Sequence, residues 1–226
     1  MSVPNLELKK ENSVYILTMT NGEKANTFTA DVLAEYHEVL DEVERGDENA
    51  ALILTSNHDK FWNNGIDLEW LITQPSGYHQ EFAGLLDAFY LRWAFLDLPT
   101  VGCLTGHTYA AGAILASALD FRFMRNDKGW FCFPEIDIRI PFTAVMHGIV
   151  SLLPNRLALR HLMLTGIKVG GEEAEEWQIV DAAYPPDTLF GKAMEHAEML
   201  AKKDRKTYAS IKKGMRRELA AMKGPL

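Results

Sequence analysis

Residues 100–124, TVGCLTGHTYAAGAILASALDFRFM, contain two short apolar runs separated by a segment of small residues. The runs at residues 100–104 and 121–124 have the length and composition of buried β-strands. Between them, a turn from Gly106 to Gly112 opens into a helix through Asp120. The order strand, loop, helix, strand predicts an α/β protein.

The same order recurs on both sides of this stretch. Helical spacing of apolar residues is seen in residues 32–43, 78–97, 143–153, 157–164 and 172–177, and from residue 186 onward. Strand patterns are seen in residues 6–10, 14–20, 51–55 and 179–183, and in a short run from Gly129. Residues 61–65 are predicted to be a loop, and Gly166 is predicted to end the helix before it. With no linker composition, we predict one domain, in which residues 1–185 form the core and residues 186–226 a C-terminal helical segment with possible oligomer contacts.

Composition excludes several classes of function. The chain has 226 residues and a net charge of −8, which argues against nucleic acid or an anionic membrane as the partner. Cys103 and Cys132 lie in apolar runs without metal-ligand spacing, so we predict no metal site. The N-terminal sequence lacks the pattern of a targeting signal, and no apolar stretch is long enough to span a bilayer, which leads us to expect a cytoplasmic protein.

Two glycine-containing loops each follow a predicted strand and precede a predicted helix. One contains Gly65 and the other contains Ala111 and Gly112. Such loops present free backbone N–H groups, and the second adds the positive end of a helix dipole. Two N–H donors that converge on one point form an oxyanion hole, although glycine is also common in loops that have no such role.

Four sequence blocks in a fixed order carry a resemblance to a known family. They are residues 61–68 (FWNNGIDL), 106–120, 133–138 (FPEIDI) and 164–181. In this order the chain resembles the enoyl-CoA hydratase/isomerase (crotonase) superfamily from the first hairpin to about Tyr184, and is most similar to the monofunctional Δ3,Δ2-enoyl-CoA isomerases. The resemblance implies a spiral of repeated ββα units with late helices at subunit contacts, a homotrimer or a dimer of trimers, and an acyl-CoA thioester substrate. It implies no separate cofactor, because coenzyme A is part of the substrate.

The resemblance also implies roles for individual residues. The backbone N–H groups of Ile66 and Ala111 match the two donors that hold the thioester oxygen in the family. The residues that match substrate-binding positions are Lys24, Ala25, Asn26, Gly65, Asp67, Leu68, Gly112 and Ile114. For residues 24–26 a plain surface loop is the alternative interpretation, and Asp67 is also suited to cap the following helix.

One departure from the family pattern decides which reaction we expect. The family's hydratases use two glutamates, and the matching positions here are Ile114 and Glu135. Hydration needs a second group to orient and deprotonate water, whereas moving a double bond needs a single base. We therefore predict that Glu135 catalyses the isomerisation of a 3-enoyl-CoA, with its pKa raised by apolar neighbours.

Several alternatives stay open at this point. Asp137, two residues from Glu135, is an alternative acid/base, and His107 is assigned a structural role. An apolar cluster fits either an acyl tunnel or core packing; it comprises Trp70, Leu71, Phe82, Leu86, Phe89 and Tyr90. Basic residues near the C-terminus fit a solvated helix face or a site for the phosphates of CoA; they are Lys202, Lys203, Arg205, Lys206, Lys212, Lys213, Arg216 and Arg217. Other acyl-CoA chemistry, namely hydration, decarboxylation or thioester hydrolysis, and a catalytically silent acyl-CoA-binding protein are the remaining functions considered.

Overall fold

The computed structural model describes residues 1–222 and contains two sheets. The larger has seven strands, in the spatial order β1 (Ser2–Val3), β2 (Leu6–Glu11), β3 (Val14–Met19), β4 (Ala51–Ser56), β6 (Thr100–Leu104), β8 (Phe121–Arg125) and β10 (Ala182–Tyr184). The smaller consists of β5 (Phe61–Asn63), β7 (His107–Tyr109) and β9 (Phe131–Cys132). The helices are α1 (Ala30–Arg45), α2 (Leu68–Ile72), α3 (Tyr78–Ala94), α4 (Ala111–Ala118), α5 (Glu135–Ile138), α6 (Ala144–Val150), α7 (Arg156–Thr165), α8 (Gly171–Glu176), α9 (Pro186–Leu200), α10 (Arg205–Met215) and α11 (Arg217–Ala220).

The chain repeats a strand, strand, helix unit, which confirms the predicted spiral. The units are β4-β5-α2-α3, β6-β7-α4 and β8-β9-α5-α6. In each unit the first strand joins the larger sheet and the second joins the smaller one. Because β5, β7 and β9 pair in parallel, their carboxyl ends lie next to one another.

Local sequence explains the elements of the larger sheet. The β2-β3 hairpin pairs in antiparallel register, with Leu6 opposite Met19, and turns at Asn12, whose φ is 54°. The strand β4 is buried along its whole length between β3 and β6, as expected for a short continuous apolar run in a parallel sheet. Within residues 1–222, side-chain caps begin five helices, and they come from Thr29, Asp67, Thr143, Asn155 and Asp204.

The sequence prediction missed two of the three strands of the small sheet, since only β9 lies in a predicted strand, the run from Gly129. Residues 61–65, predicted to be a loop, include β5, and the small-residue turn includes β7. Each strand has three residues, which is too few for a periodic pattern. The short elements β1 and α5 were also not predicted. Boundaries shift in other elements: α3 ends at Ala94 before the predicted residue 97, and β10 begins at Ala182 after the predicted residue 179.

The C-terminal helices pack on the larger sheet. The helix α9 begins at Pro186 and buries Leu189, Ala193 and Ala197 against a cluster that includes Ile53 and Val101. Residues 223–226 of the predicted C-terminal segment lie outside the described residues.

Three of the basic C-terminal residues are buried, so their interpretation as a solvated face or a phosphate site was wrong. The Arg205 guanidinium lies 2.6 Å from an Asp97 carboxylate oxygen. Lys212 and Arg216 each lie 2.8 Å from the carboxylate of Asp120. Buried charges require such partners, and these pairs attach α10 and Arg216, the residue that follows it, to the core. The other five side chains are exposed; they are Lys202, Lys203, Lys206, Lys213 and Arg217.

Candidate active site

The small sheet brings together the three segments that the sequence singled out. Phe61 of β5 pairs with His107 of β7, and Tyr109 of β7 pairs with Cys132 of β9. The segments 64–66, 110–112 and 133–135 follow directly after the ends of these strands. The pairing of β5, β7 and β9, which the sequence hardly indicates, therefore brings the parts of the site together.

A cavity of about 200 Å³ lies at this edge of the small sheet. It is lined by Asn64, Ile66, Leu68, Tyr109, Ala110, Ala111, Ile114, Pro134, Glu135, Ile138, Ile140, Pro141 and Met146. Within residues 1–222, Glu135 contributes the only carboxylate of this lining. The walls are otherwise mostly apolar, which suits the burial of an acyl chain.

The loops that hold the Ile66 and Ala111 N–H groups touch each other. Gly65 has a φ of 87°, and a Cβ placed there would lie 3.1 Å from the backbone nitrogen of Ala111. Hydrogen bonds from Phe28 N–H to Gly65 O (2.8 Å) and from Asp67 N–H to Phe28 O (3.0 Å) fix the peptides on either side of Ile66. In the part of the chain that the structure describes, the N–H groups of Ile66 and Ala111 have no acceptor, so both are free to bind a ligand.

Asn63 connects the two loops and was missed by the sequence analysis. Its side-chain oxygen accepts the Gly65 N–H at 2.9 Å, and its side-chain NH₂ donates to Asn26 O. Gly112 packs directly on Asn63, and a Cβ at Gly112 would collide with the side-chain and backbone oxygens of Asn63. In the sequence, Asn63 belongs to an Asn-Asn-Gly run, whose meaning depends on the pairing of β5 with β7.

Glu135 combines burial with the lack of a charged partner. It begins α5 and is 7% exposed. Burial raises the pKa of Glu135 to about 7. Its Oε2 has no hydrogen-bond partner in the described chain. A carboxyl group in this state exchanges a proton readily near neutral pH, as required of a group that acts as both base and acid.

Asp137 lies elsewhere. Its side chain is exposed and packs against Gly166, and it does not line the cavity. The geometry therefore favours Glu135 over Asp137 as the acid/base.

The predicted substrate-binding residues fall into separate groups. Leu68 and Ile114 line the cavity, whereas Asp67 accepts a hydrogen bond from Trp70 N–H at 2.9 Å and thereby caps α2. Gly65 and Gly112 lie behind the cavity wall, where the two loops pack together.

The loop of residues 24–26 contacts Asn64, a residue of the cavity lining, through its backbone. Ala25 O accepts the Asn64 N–H at 3.0 Å, and Lys24 is exposed. Asn26 is buried, and its side chain donates to Ser56 Oγ at 2.9 Å and to Trp62 O at 3.0 Å. The Asn26 side chain thus holds the loop, and substrate contact by this loop stays a prediction.

Two further interpretations are resolved in favour of packing. Phe82, Leu86, Phe89 and Tyr90 are at most 1% exposed and do not line the cavity, so they form core rather than an acyl tunnel. Partly buried Trp70 and buried Leu71 pack in the same core and likewise do not line the cavity. The His107 ring packs between Phe61 and Tyr109, with centroid distances of 5.7 and 5.2 Å, and burial lowers the pKa of His107.

These features define a spiral α/β protein whose pocket places two free backbone N–H groups near one buried carboxyl group. The sequence model of the enoyl-CoA hydratase/isomerase family matches residues 9–225, and the chain belongs to this family.

The chain is also similar to individual family members. It is 32% identical to Enoyl-CoA delta isomerase 3 of Arabidopsis thaliana, over 95% of this chain and 93% of that relative. It is 33% identical to the peroxisomal Enoyl-CoA delta isomerase 2 of the same plant, over 96% of this chain and 94% of that relative. The crystal structure of an enoyl-CoA hydratase/isomerase family protein from Pseudomonas syringae has the same fold, with a TM-score of 0.88 at 20% identity over 96% of this chain and 92% of that chain.

Proposed function

We propose that this protein converts a 3-enoyl-CoA to the 2-trans-enoyl-CoA. The observation that carries the proposal is the cavity lining, in which Glu135 is the sole carboxylate contributed by residues 1–222 and Ile114 stands where the family's hydratases have their other glutamate. The named activity of two relatives that are 32% and 33% identical supports the same reaction.

The reaction needs only one proton to move. Glu135 removes a proton from C2, the double bond moves from C3–C4 to C2–C3, and Glu135 returns the proton to C4. General acid–base catalysis of this kind contributes roughly 10²–10⁴-fold. The pKa of Glu135, about 7, suits both transfers, since it is close to neutral pH.

The negative charge that develops on the thioester oxygen needs stabilisation. The N–H groups of Ile66 and Ala111 are the donors in this proposal, because they adjoin the cavity and have no acceptor among the described residues. Preorganised backbone donors of this type stabilise an oxyanion strongly when water is excluded.

In the test, the purified protein is incubated with 3-hexenoyl-CoA and, separately, with 2-hexenoyl-CoA. Enoyl-thioester absorbance and product identity are followed. We expect the absorbance of the conjugated product to rise with the first substrate and to be nearly lost in Glu135→Gln. Asp137→Asn is the matched control, because Asp137 is a nearby exposed carboxylate, and it should retain activity. Hydration of the second substrate, or no reaction while CoA esters still bind, would contradict the proposal.

Assembly and location are proposed from the family resemblance and from the sequence. We propose a homotrimer or a dimer of trimers, as the family resemblance implies, and light scattering of the purified protein tests it. No helix within the described residues is long and apolar enough to cross a membrane. A cytoplasmic location stays a prediction, and one of the relatives is named as peroxisomal.

A further inference from the structure

A buried tyrosine behind the cavity contacts the turn that holds the Ala111 N–H. Tyr90 of α3 is fully buried, and its hydroxyl donates to the backbone oxygen of Ala111 at 3.2 Å. We propose that Tyr90 is a positioning residue, whose hydroxyl holds the first turn of α4 so that the Ala111 N–H binds the thioester oxygen. This inference rests on the proposed function of the site.

The turn needs external support because its backbone is strained. Ala110 has φ 50° and ψ −127°, a combination that a residue with a Cβ rarely adopts. Such conformations persist only where surrounding contacts hold them, and they concentrate at functional sites. Relaxation at Ala110 would rotate the peptide that carries the Ala111 N–H.

Besides the hydrogen bonds within α4, three hydrogen bonds among the described residues hold this turn. Ala110 N–H donates to Cys132 O at 3.0 Å, and Ile114 N–H donates to Ala110 O at 3.0 Å. The third is the Tyr90 hydroxyl, which is the only side chain within residues 1–222 that bonds to residues 110 or 111. The first two bonds belong to the fold itself, so Tyr90 is the contact that a sequence change can remove selectively.

The setting of Tyr90 suits a fixed donor. Its ring packs against Phe89 with a centroid distance of 5.7 Å. Burial, followed by the charges of Glu135 and Asp87, raises the pKa of Tyr90, so the hydroxyl keeps its proton. Phenylalanine would satisfy the packing equally well, which leaves the hydrogen bond as the specific contribution of tyrosine.

The first test separates kcat from KM in Tyr90→Phe. We expect kcat for 3-hexenoyl-CoA to fall about 10-fold, while KM stays within about twofold of its original value. This fall in kcat is smaller than the loss of an oxyanion donor would cause, because Tyr90 acts through the turn and not on the substrate. Tyr36→Phe is the matched control, because Tyr36 is a buried tyrosine that packs on the same Phe89 ring and does not line the cavity. An unchanged kcat in Tyr90→Phe, or an equal loss in Tyr36→Phe, would overturn the inference.

A second variant tests the strain directly. Ala110→Gly removes the conformational preference that Tyr90 opposes, so adding Tyr90→Phe to it should lower kcat by less than about threefold. The same 10-fold loss in both backgrounds would rule out a role for Tyr90 against strain at Ala110.

A readout without turnover distinguishes failure of this inference from failure of the proposed reaction. The infrared stretch of the thioester carbonyl of bound butyryl-CoA should lie below that of free butyryl-CoA in the unaltered protein and in Tyr36→Phe, and should return toward the free value in Tyr90→Phe. An equal stretch in Tyr90→Phe and the unaltered protein, or no lowering in the unaltered protein, would overturn the inference. A Tyr90-dependent stretch in a protein that does not isomerise 3-hexenoyl-CoA would instead refute only the proposed reaction.

Discussion

Replacing Glu135 by glutamine should abolish activity and stabilise the protein at alkaline pH. Burial moves the pKa of Glu135 from 4.5 to about 7, so the folded protein holds a proton that the unfolded chain releases. At ~1.4 kcal/mol per pKa unit, keeping this carboxylate charged costs the folded state about 3 kcal/mol at pH 8. The cost falls to about 1 kcal/mol at pH 5, where the folded protein binds the proton. Because glutamine stays neutral, Glu135→Gln escapes this cost.

Urea unfolding of Glu135→Gln and the unaltered protein at pH 5 and pH 8 measures the effect. The difference in the free energy of unfolding should favour Glu135→Gln and should grow by about 2 kcal/mol between the two pH values. Asp137→Asn controls for the loss of an exposed carboxylate and should show no such growth. A difference that stays constant with pH, or a variant that is less stable at pH 8, would refute the reasoning about burial.

Four further outcomes follow from the geometry. The kcat/KM of the unaltered protein should rise with pH and level off above about pH 7, because Glu135 must be ionised to take the C2 proton; a flat profile excludes it as the base. Gly112→Ala should displace Asn63, lower the free energy of unfolding by about 1–3 kcal/mol in urea titrations and reduce kcat by roughly 100-fold. Ile114→Glu should shift the pH of half-maximal activity upward, since a second carboxylate raises the pKa of the first; an unshifted profile shows that the two do not interact. Asp120→Asn should lower the free energy of unfolding by about 3–5 kcal/mol, because two buried cations lose their partner; a loss below 1 kcal/mol contradicts this.

The larger sheet could be predicted because its strands carry strong patterns. The run at residues 51–55 and the two runs that flank the small-residue turn are long enough to be recognised as buried strands, and all three are present. The strands β5 and β7 of the small sheet could not be predicted, since they have three residues each and include Asn63 and His107, whereas β9 lies in the run from Gly129 that was predicted to be a strand. Their pairing depends on the larger sheet, which places successive units side by side.

The residues of the site likewise fall into those that the sequence indicates and those that it does not. The glycine loops and Glu135 stand out in the sequence because small residues and a Pro-Glu corner are local features. Besides its contact with nearby Gly65, Asn63 bonds to Asn26, 37 residues away, and Tyr90 bonds to Ala111, 21 residues away, so the local sequence does not reveal these long-range contacts. The interpretation of Arg205, Lys212 and Arg216 was wrong for the same reason. The sequence of a basic helix face does not show whether its side chains are solvated or pair with a distant aspartate.

The free-energy cost of burying the Glu135 carboxylate also helps to explain why a site with one carboxylate favours isomerisation over hydration. A second carboxylate at position 114 would place like charges in a cavity of about 200 Å³, and one of the two would stay protonated at neutral pH unless water solvated it. Hydration requires that water, whereas a double-bond shift is served by excluding it, because a proton held on Glu135 then returns to the same substrate. The apolar walls and the isoleucine at position 114 oppose the entry of water, and Glu135 is the only carboxylate that residues 1–222 contribute to the lining, as the proposed reaction requires. The raised pKa of buried Glu135 therefore has two consequences: it destabilises the folded protein, and it supports the isomerisation.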